Sequence, residues 1–110
     1  MSEIINYDLF SQIDLKVGKV LSAEKVENAD KLLKLMIDLG EENPRQLVAG
    51  IAQQYIPESL IGRDVVVLTN LEPRTIRGVE SQGMILAATA DGAPVLLTLE
   101  KPVPPGSKIK

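Results

Sequence analysis

The segment from Leu32 to Leu39 has the most regular apolar pattern in the chain. Its odd-numbered positions are all apolar: Leu33, Leu35, Ile37 and Leu39. In a β-strand such positions share one face, because successive side chains alternate between the two faces of a sheet. The pattern therefore predicts a strand whose odd-numbered side chains lie in the core, with Lys34 on the outer face.

Four further segments carry strand patterns and are separated by turn-forming residues. They cover residues 14–23, 45–51, 64–69 and 81–88. The segment 64–69 is apolar from Val65 to Leu68, which predicts a central strand. The pair Asp91-Gly92 predicts a tight hairpin, after which residues 95–99 pair back.

The first of these strands changes its apolar side partway along. Leu15 and Val17 share one face, but after Gly18 the apolar side moves to Val20. A strand changes face through a bulge, and glycine is a common place for one, so we expect a bulge at Gly18. A bulged and strongly curved first strand is what a small closed barrel needs.

Two short helical turns are predicted. Residues 1–13 form one before the first strand, with Asp8 as a possible N-cap and an apolar face that includes Leu9 and Phe10. This face must be buried on the barrel or on a second subunit. Between the third and fourth strands, Pro57 suits the first position of a second turn, which Gly62 would close.

Five principal strands, short loops and one helical insert predict an all-β fold. The matching architecture is the OB-fold, a five-stranded Greek-key barrel, with a short helical insert and a small N-terminal helix; a β-sandwich is the alternative. A chain of 110 residues is long enough for one core and too short for two, so we expect a single domain over residues 1–110.

The chain has no histidine and no cysteine. The commonest zinc ligands and the usual bases that activate a serine are therefore missing. No carboxylates pair at a recognisable spacing, so we expect no enzyme, no metal and no cofactor. No stretch approaches the ~20 apolar residues that span a bilayer, and the start lacks a basic region before an apolar one. We therefore expect a cytoplasmic protein without a membrane segment.

A net charge of −3 counts against nucleic-acid binding, which usually requires a basic surface. The charge is unevenly distributed, however. Residues 16–34 hold five lysines against three acidic residues, and residues 101–110 hold three lysines and no acidic residue. These segments would form a basic face if the fold brings them together, which the sequence alone does not decide.

The stretch from Asn70 to Ala88 reads as a polar connection between two apolar strands. Connections of this kind often carry binding residues. Arg74 and Arg77 bring planar, permanently charged groups that suit phosphate. The alternative is a surface loop whose arginines only keep the protein soluble.

The same stretch resembles the tRNA-binding domain found at the C-terminus of many methionyl-tRNA synthetases and in free-standing tRNA-binding proteins. The matching run is Asn-Leu-x-Pro-Arg-x-Ile-Arg-Gly-x-x-Ser-x-Gly-Met-x-Leu-Ala-Ala. The blocks Asp14–Val20, Ala29–Leu33 and Val48–Ala52 agree with that family in order and spacing. The likeness covers residues 8–110.

The resemblance implies an OB-fold, a homodimer and binding of tRNA by its folded L-shape, without catalysis. Such domains assist aminoacylation in trans by raising the effective tRNA concentration for a synthetase. Because no catalytic domain is present in the 110 residues, we expect the free-standing form. A separate β subunit of methionyl-tRNA synthetase, with the catalytic subunit as partner, fits this expectation.

The resemblance also implies roles for individual residues. The first choice for phosphate contacts is Arg74 and Arg77, and the second is Lys31 and Lys34. Other expected contacts to the RNA come from Asn70, Ser81, Gln82 and Met84. Close approach of the RNA backbone is expected at Gly78 and Gly83. The alternatives are solvated lysines, a turn capped by the Asn70 side chain, a core position for Met84, and glycines that serve only turn geometry.

Two departures from the family weaken the expected affinity. Many members carry lysine where this chain has Glu72 and Thr75, and the chain has only three aromatic residues for stacking: Tyr7, Phe10 and Tyr55. The rival interpretation is a dimeric chaperone of the CsaA type that binds unfolded polypeptide. A third, compatible with the first, is a docking subunit whose main partner is the synthetase itself.

Overall fold

The structure, a computed structural model, describes residues 2–110. Its elements in chain order are α1 Tyr7–Phe10, β1 Leu15–Val26, β2 Ala29–Asp38, β3 Arg45–Ala49, α2 Pro57–Leu60, β4 Asp64–Leu68, β5 Arg74–Ile76, β6 Val79–Ser81, β7 Met84–Ile85, β8 Ala87–Ala90, β9 Ala93–Leu96 and β10 Lys108–Ile109. Both helices are single turns. No helix among residues 2–110 is long and apolar enough to cross a membrane.

The barrel is built around β1, which pairs with three other strands. Its first part pairs antiparallel with β4, and its second part pairs antiparallel with β2, in the sheet order β3-β2-β1-β4-β7. β10 also pairs with the start of β1, so the C-terminal segment returns to the first strand. This curved arrangement is the predicted OB-fold.

The predicted bulge is present on β1, but not at Gly18. Register shifts lie between Val20 and Ser22 and between Lys25 and Val26. Gly18 is buried in the core, and a Cβ atom there would lie 2.4 Å from Cγ2 of Ile37. The expectation of a bulge at Gly18 was wrong because close packing, not a change of face, requires this glycine.

The core lies where the alternating pattern of β2 placed it. Leu33, Leu35 and Ile37 are 0 % exposed, and Leu39 is 2 % exposed. Val65 and Val67 of β4 pack into the same cluster, which confirms that this strand is central. The second helical turn also begins at Pro57, as predicted.

The N-terminal helix is capped differently from the prediction. Oδ1 of Asn6 accepts a hydrogen bond from the backbone N–H of Leu9 at 2.9 Å, so Asn6 and not Asp8 is the N-cap. Both residues are good caps in isolation, and the helix begins two residues earlier than expected. None of the residues of α1 is buried.

The region expected to form one fifth strand is divided into three. β6 ends at Ser81, β7 follows a break at residues 82–83, and β8 pairs with β9 across the predicted turn at Asp91-Gly92. Gly83 has a φ of 149°, and a Cβ there would lie 2.9 Å from the carbonyl oxygen of Leu68. The sharp approach of the chain to β4 at this glycine interrupts the strand.

Candidate nucleic-acid interface

A hairpin that the sequence did not predict presents the two arginines. β5 pairs with β6 through Ile76 opposite Val79, which leaves Arg77 and Gly78 as a two-residue turn. Their φ values are 52° and 79°, and a turn with two positive φ angles matches the twist of a hairpin. The hairpin carries Arg74 at its base and Arg77 at its tip, both exposed.

The hairpin borders a concave surface, called here the hairpin groove. One recess of about 380 Å³ is lined by residues 28–32, Ile76 and Arg77. A second, of about 310 Å³, is lined by residues 48–51 together with Arg74, Ile76 and Met84. Ile76 lines both recesses, so they adjoin around its side chain.

Three cations and two carboxylates line this groove and a small recess of about 50 Å³ that adjoins it. The cations are Lys31, Arg74 and Arg77, and the carboxylates are Asp30 and Glu72. None of the three cations makes an ion pair or a side-chain hydrogen bond with another residue of the described chain. Their charged groups are therefore available to an external anion.

Lys34 differs from these three cations. Its Nζ lies 2.7 Å from Oε1 of Glu24 on the neighbouring strand, and the two residues are cross-strand partners. The structure therefore places Lys34 outward, as predicted, but in an ion pair. A phosphate would have to compete with Glu24 for it.

Met84 lies at the surface of the groove. It is 42 % exposed and lines both the 310 Å³ recess and the small recess beside Glu72. The alternative of a core position does not describe this residue. Met84 and Arg74 line the same two recesses, so an apolar side chain and a cation border one surface.

Ser81 and Gln82 close the barrel against the outer edge of β3. Oγ of Ser81, which is 4 % exposed, accepts a hydrogen bond from Val48 N–H at 2.9 Å and donates one to the carbonyl of Gly83 at 3.0 Å. The N–H of Gln82 donates to the carbonyl of Gln46 at 2.9 Å, and its side-chain oxygen accepts from Gln46 N–H at 3.3 Å. These side chains satisfy a strand edge that would otherwise be unpaired.

Asn70 and Thr69 bind the N-terminal segment to the start of the chain segment that carries the hairpin. Oδ1 of Asn70 accepts from Asp14 N–H at 2.9 Å, and its Nδ2 donates to the carbonyl of Gln12. The Thr69 hydroxyl donates to Oδ2 of Asp14 at 2.7 Å. This hydrogen bond, and the charge of Lys16, hold the pKa of the Asp14 carboxyl below its ordinary value of 3.8 despite partial burial.

The two glycines of the stretch have different surroundings. The close approach to the carbonyl oxygen of Leu68 within the chain accounts for glycine at position 83. A Cβ at Gly78 would meet nothing within 4 Å, although its φ of 79° favours glycine. Only Gly78 therefore combines turn geometry with open space beside its backbone.

Arg45 is a residue of this region that the sequence reasoning missed. Its guanidinium group contacts Glu41 and the backbone carbonyls of Thr69 and Gln82. The spacing of Glu41 and Arg45 by four residues is visible in the sequence, but the strand pattern of residues 45–51 assigns Arg45 no partner. Nothing in the sequence indicated the two distant carbonyl partners.

A larger recess lies elsewhere on the barrel and suits anions less well. It measures about 480 Å³, and its charged lining residues are Glu24, Glu58 and Lys25.

Among residues 2–110, no group of three or more histidine, cysteine, aspartate or glutamate side chains could hold a metal ion.

Known proteins resemble this chain over nearly its whole length. The model of the tRNA binding domain family matches residues 15–108. Methionine–tRNA ligase of Methanocella arvoryzae is 54 % identical over 106 residues, which are 96 % of this chain and 15 % of that ligase. The chain thus spans about one sixth of the length of the curated relatives it matches, such as the Archaeoglobus fulgidus ligase at 16 %.

Two solved structures share the fold. The MetRS related protein from Pyrococcus horikoshii has a TM-score of 0.92 and 38 % identity, over 99 % of this chain and 100 % of that one. The chaperone CsaA from Bacillus anthracis has a TM-score of 0.89 and 33 % identity, over 98 % of this chain and 100 % of that one. The family match covers most of the chain, and the ligase shares more than half of the aligned residues. The chain therefore belongs to the tRNA binding domain family.

Proposed function

We propose that the chain binds folded tRNA in the hairpin groove. The observation that carries this proposal is the set of three cations, Lys31, Arg74 and Arg77, which line one concave surface and have no partner among residues 2–110. On a protein whose net charge is −3, such a cluster is the best surface for a polyanion. The family match supports tRNA as that polyanion.

Each residue of the groove has a proposed role. Arg74 and Arg77 bind phosphate oxygens, and Lys31 adds a third contact at the far side of the hairpin tip. Met84 packs against a base or a ribose, and Gly78 allows the RNA backbone to come close. Four other candidate residues act indirectly, by holding the groove or through weaker contacts: Lys34, Asn70, Ser81 and Gln82.

The groove favours a folded RNA over an unpaired strand. Its described lining contains no aromatic side chain, whereas proteins that bind single strands stack successive bases on aromatic rings. Recognition through phosphates and ribose suits the shape of a structured RNA. We therefore assign the L-shape of tRNA, rather than a base sequence, as the ligand.

A second copy of the chain completes the proposal. The N-terminal segment carries apolar side chains that the barrel leaves exposed: Ile4, Ile5, Tyr7, Leu9 and Ile13. A homodimer would bury them and place two hairpin grooves on one particle. A strictly monomeric mass in analytical ultracentrifugation at micromolar concentration would refute the dimer.

The cellular role proposed is non-catalytic. The chain supplies tRNA affinity in the cytoplasm and assists aminoacylation in trans, as a β subunit beside the catalytic subunit of methionyl-tRNA synthetase. The similarity to methionine–tRNA ligases supports that partner. Methionylation by a catalytic subunit, measured with and without this chain at limiting tRNA, tests the role; an unchanged rate would contradict it.

The groove assignment is tested by titration of unfractionated, folded tRNA at several salt concentrations. We expect the affinity of the wild type to fall with salt as if about four to eight phosphates were neutralised per dimer. Arg74→Ala/Arg77→Ala should lose most of this binding and remain folded. The control Arg63→Ala/Lys101→Ala removes the same charge from exposed positions outside the groove and should bind almost as wild type.

The two variants separate the groove from general electrostatics. Equal losses in both variants would show that only net charge matters, which would refute the groove. A wild type that fails to bind folded tRNA at low salt would refute the proposed function as a whole.

A second candidate function is a chaperone that holds unfolded polypeptide. The observation favouring it is the close structural similarity to the chaperone CsaA, together with the apolar lining that Ile76, Met84 and Leu96 give the groove. The three unpaired cations argue for RNA. Competition between a permanently unfolded polypeptide and tRNA decides: displacement of bound tRNA by polypeptide at similar concentration would favour the chaperone.

A further inference from the structure

Arg45 uses four of its five N–H groups within the protein. Its Nε and Nη2 donate to the two carboxylate oxygens of Glu41 at 2.9 and 2.7 Å. Its Nη1 donates to the carbonyl oxygens of Thr69 at 2.6 Å and of Gln82 at 3.1 Å. The bidentate pairing with Glu41 fixes the plane of the guanidinium group and thus the direction of Nη1.

The two carbonyl partners stand at the two ends of one segment. Thr69 follows directly after β4, and Gln82 follows directly after β6. Residues 70–81 between them include both strands of the hairpin. One nitrogen atom of Arg45 therefore joins the entry and the exit of the segment that carries Arg74 and Arg77.

The hairpin itself has little contact with the core. Of residues 74–80, only Ile76 and Val79 are even half-buried, and the others are exposed. Packing against apolar residues therefore does little to fix its direction. The polar contacts at its two ends must do so, and Arg45 is a charged side chain that contacts both ends.

We infer that Arg45 is a positioning residue for tRNA binding, which sets the direction of the hairpin without touching the RNA. This inference rests on the proposed function, because it concerns the same groove. Lysine could not replace it fully, since a single ammonium group cannot pair with a carboxylate in bidentate fashion and also point at two carbonyl oxygens in fixed directions.

The test compares Arg45→Gln with Arg63→Gln. Both variants lose one positive charge, but Arg63 is exposed at the opposite end of β4 from Thr69. We expect the Kd for folded tRNA to rise about tenfold in Arg45→Gln, since hydrogen bonds to charged groups contribute of this order. Arg63→Gln should change it less than about twofold, the range of an ordinary surface substitution.

Backbone hydrogen exchange separates positioning from general destabilisation. In Arg45→Gln, exchange should accelerate at the N–H of Gln82 and of Val48, which hold the end of the hairpin to β3, and stay unchanged at Leu35 in the core. Arg45→Lys should recover part of the tRNA affinity. Glu41→Gln, which leaves Arg45 in place and loosens its orientation, should weaken tRNA binding by a smaller factor.

The outcomes distinguish this inference from the proposed function. A wild type that binds tRNA, with Arg45→Gln binding equally well, would overturn the inference and leave the proposed function standing. Faster exchange throughout the barrel, without a selective effect at Gln82 and Val48, would also overturn it. A wild type that binds no tRNA would refute the proposed function and this inference with it.

Discussion

Replacement of Ser81 by alanine distinguishes a structural role from an RNA contact. The Ser81 hydroxyl is buried, accepts the N–H of Val48 and donates to the carbonyl of Gly83. Alanine leaves the N–H of Val48 without its acceptor at a buried strand edge. An unsatisfied buried group of this kind costs about 1–3 kcal/mol, so we expect the free energy of unfolding to fall by that amount.

The measurement is urea unfolding of Ser81→Ala, with Ser22→Ala as the matched control. Ser22 is exposed on β1, and its hydroxyl makes no hydrogen bond with another residue of the described chain. Its loss should change the free energy of unfolding by less than about 0.5 kcal/mol. In thermal unfolding, the Ser81 variant should lose roughly 4–8 °C for each kcal/mol.

Binding of tRNA gives the second half of this prediction. Because the Ser81 side chain faces Val48 and Gly83, its replacement should leave the salt dependence of tRNA binding unchanged. The reasoning fails if Ser81→Ala is as stable as the wild type and yet binds folded tRNA tenfold more weakly. Ser81 would then contact the RNA directly.

Three further substitutions have expected outcomes. Gly18→Ala should lower the free energy of unfolding by about 1–3 kcal/mol, because its Cβ would lie 2.4 Å from Cγ2 of Ile37; unchanged urea unfolding would contradict this overpacking. Arg77→Gly should keep or raise thermal stability, since the φ of residue 77 is 52°, and should weaken tRNA binding; a clear loss of stability would show that the arginine side chain supports the turn. The pKa of the Asp14 carboxyl is lowered by folding, so its carboxylate stabilises the fold above the unfolded-state pKa of 3.8, and this contribution is lost as the pH falls below that value. Asp14→Asn should therefore make the free energy of unfolding fall less steeply with decreasing pH in the acid range. Equal slopes in the wild type and in Asp14→Asn would refute the assignment.

The parts of the fold set by local pattern were predictable. The alternation in β2 and the apolar run of β4 placed both strands in the core, because burial of one face decides the register of a strand. The turn at Asp91-Gly92 and the proline at the start of α2 followed from the backbone preferences of those residues.

The parts that depend on distant contacts were not predictable. The β5–β6 hairpin has three residues in each strand and a turn in which Arg77 adopts a positive φ, a conformation that few arginines adopt. Ser81 and Gln82 looked like RNA donors, because their sequence gives no sign that β3 needs them at its edge. Arg45 acts through carbonyls 24 and 37 residues away.

Of the candidate site, the sequence indicated the cations that the structure brings to the groove: Lys31, Arg74 and Arg77. It could not separate them from Lys34, because the ion pair with Glu24 depends on the register between β1 and β2. The sequence therefore showed which residues are cations, whereas the tertiary neighbours of each cation decide whether it is free to bind an external anion.

Thr69 lies between the N-terminal segment and the hairpin, the two surfaces proposed to bind partners. Its N–H and hydroxyl bind Asp14 at the end of the N-terminal segment, and its carbonyl binds Arg45 beside the hairpin. A partner that covers the N-terminal segment and shifts Asp14 would thereby shift one end of the hairpin. Thermodynamic linkage requires the effect to be reciprocal: if association of two copies changes the affinity for tRNA, bound tRNA changes the affinity of the copies for each other by the same factor.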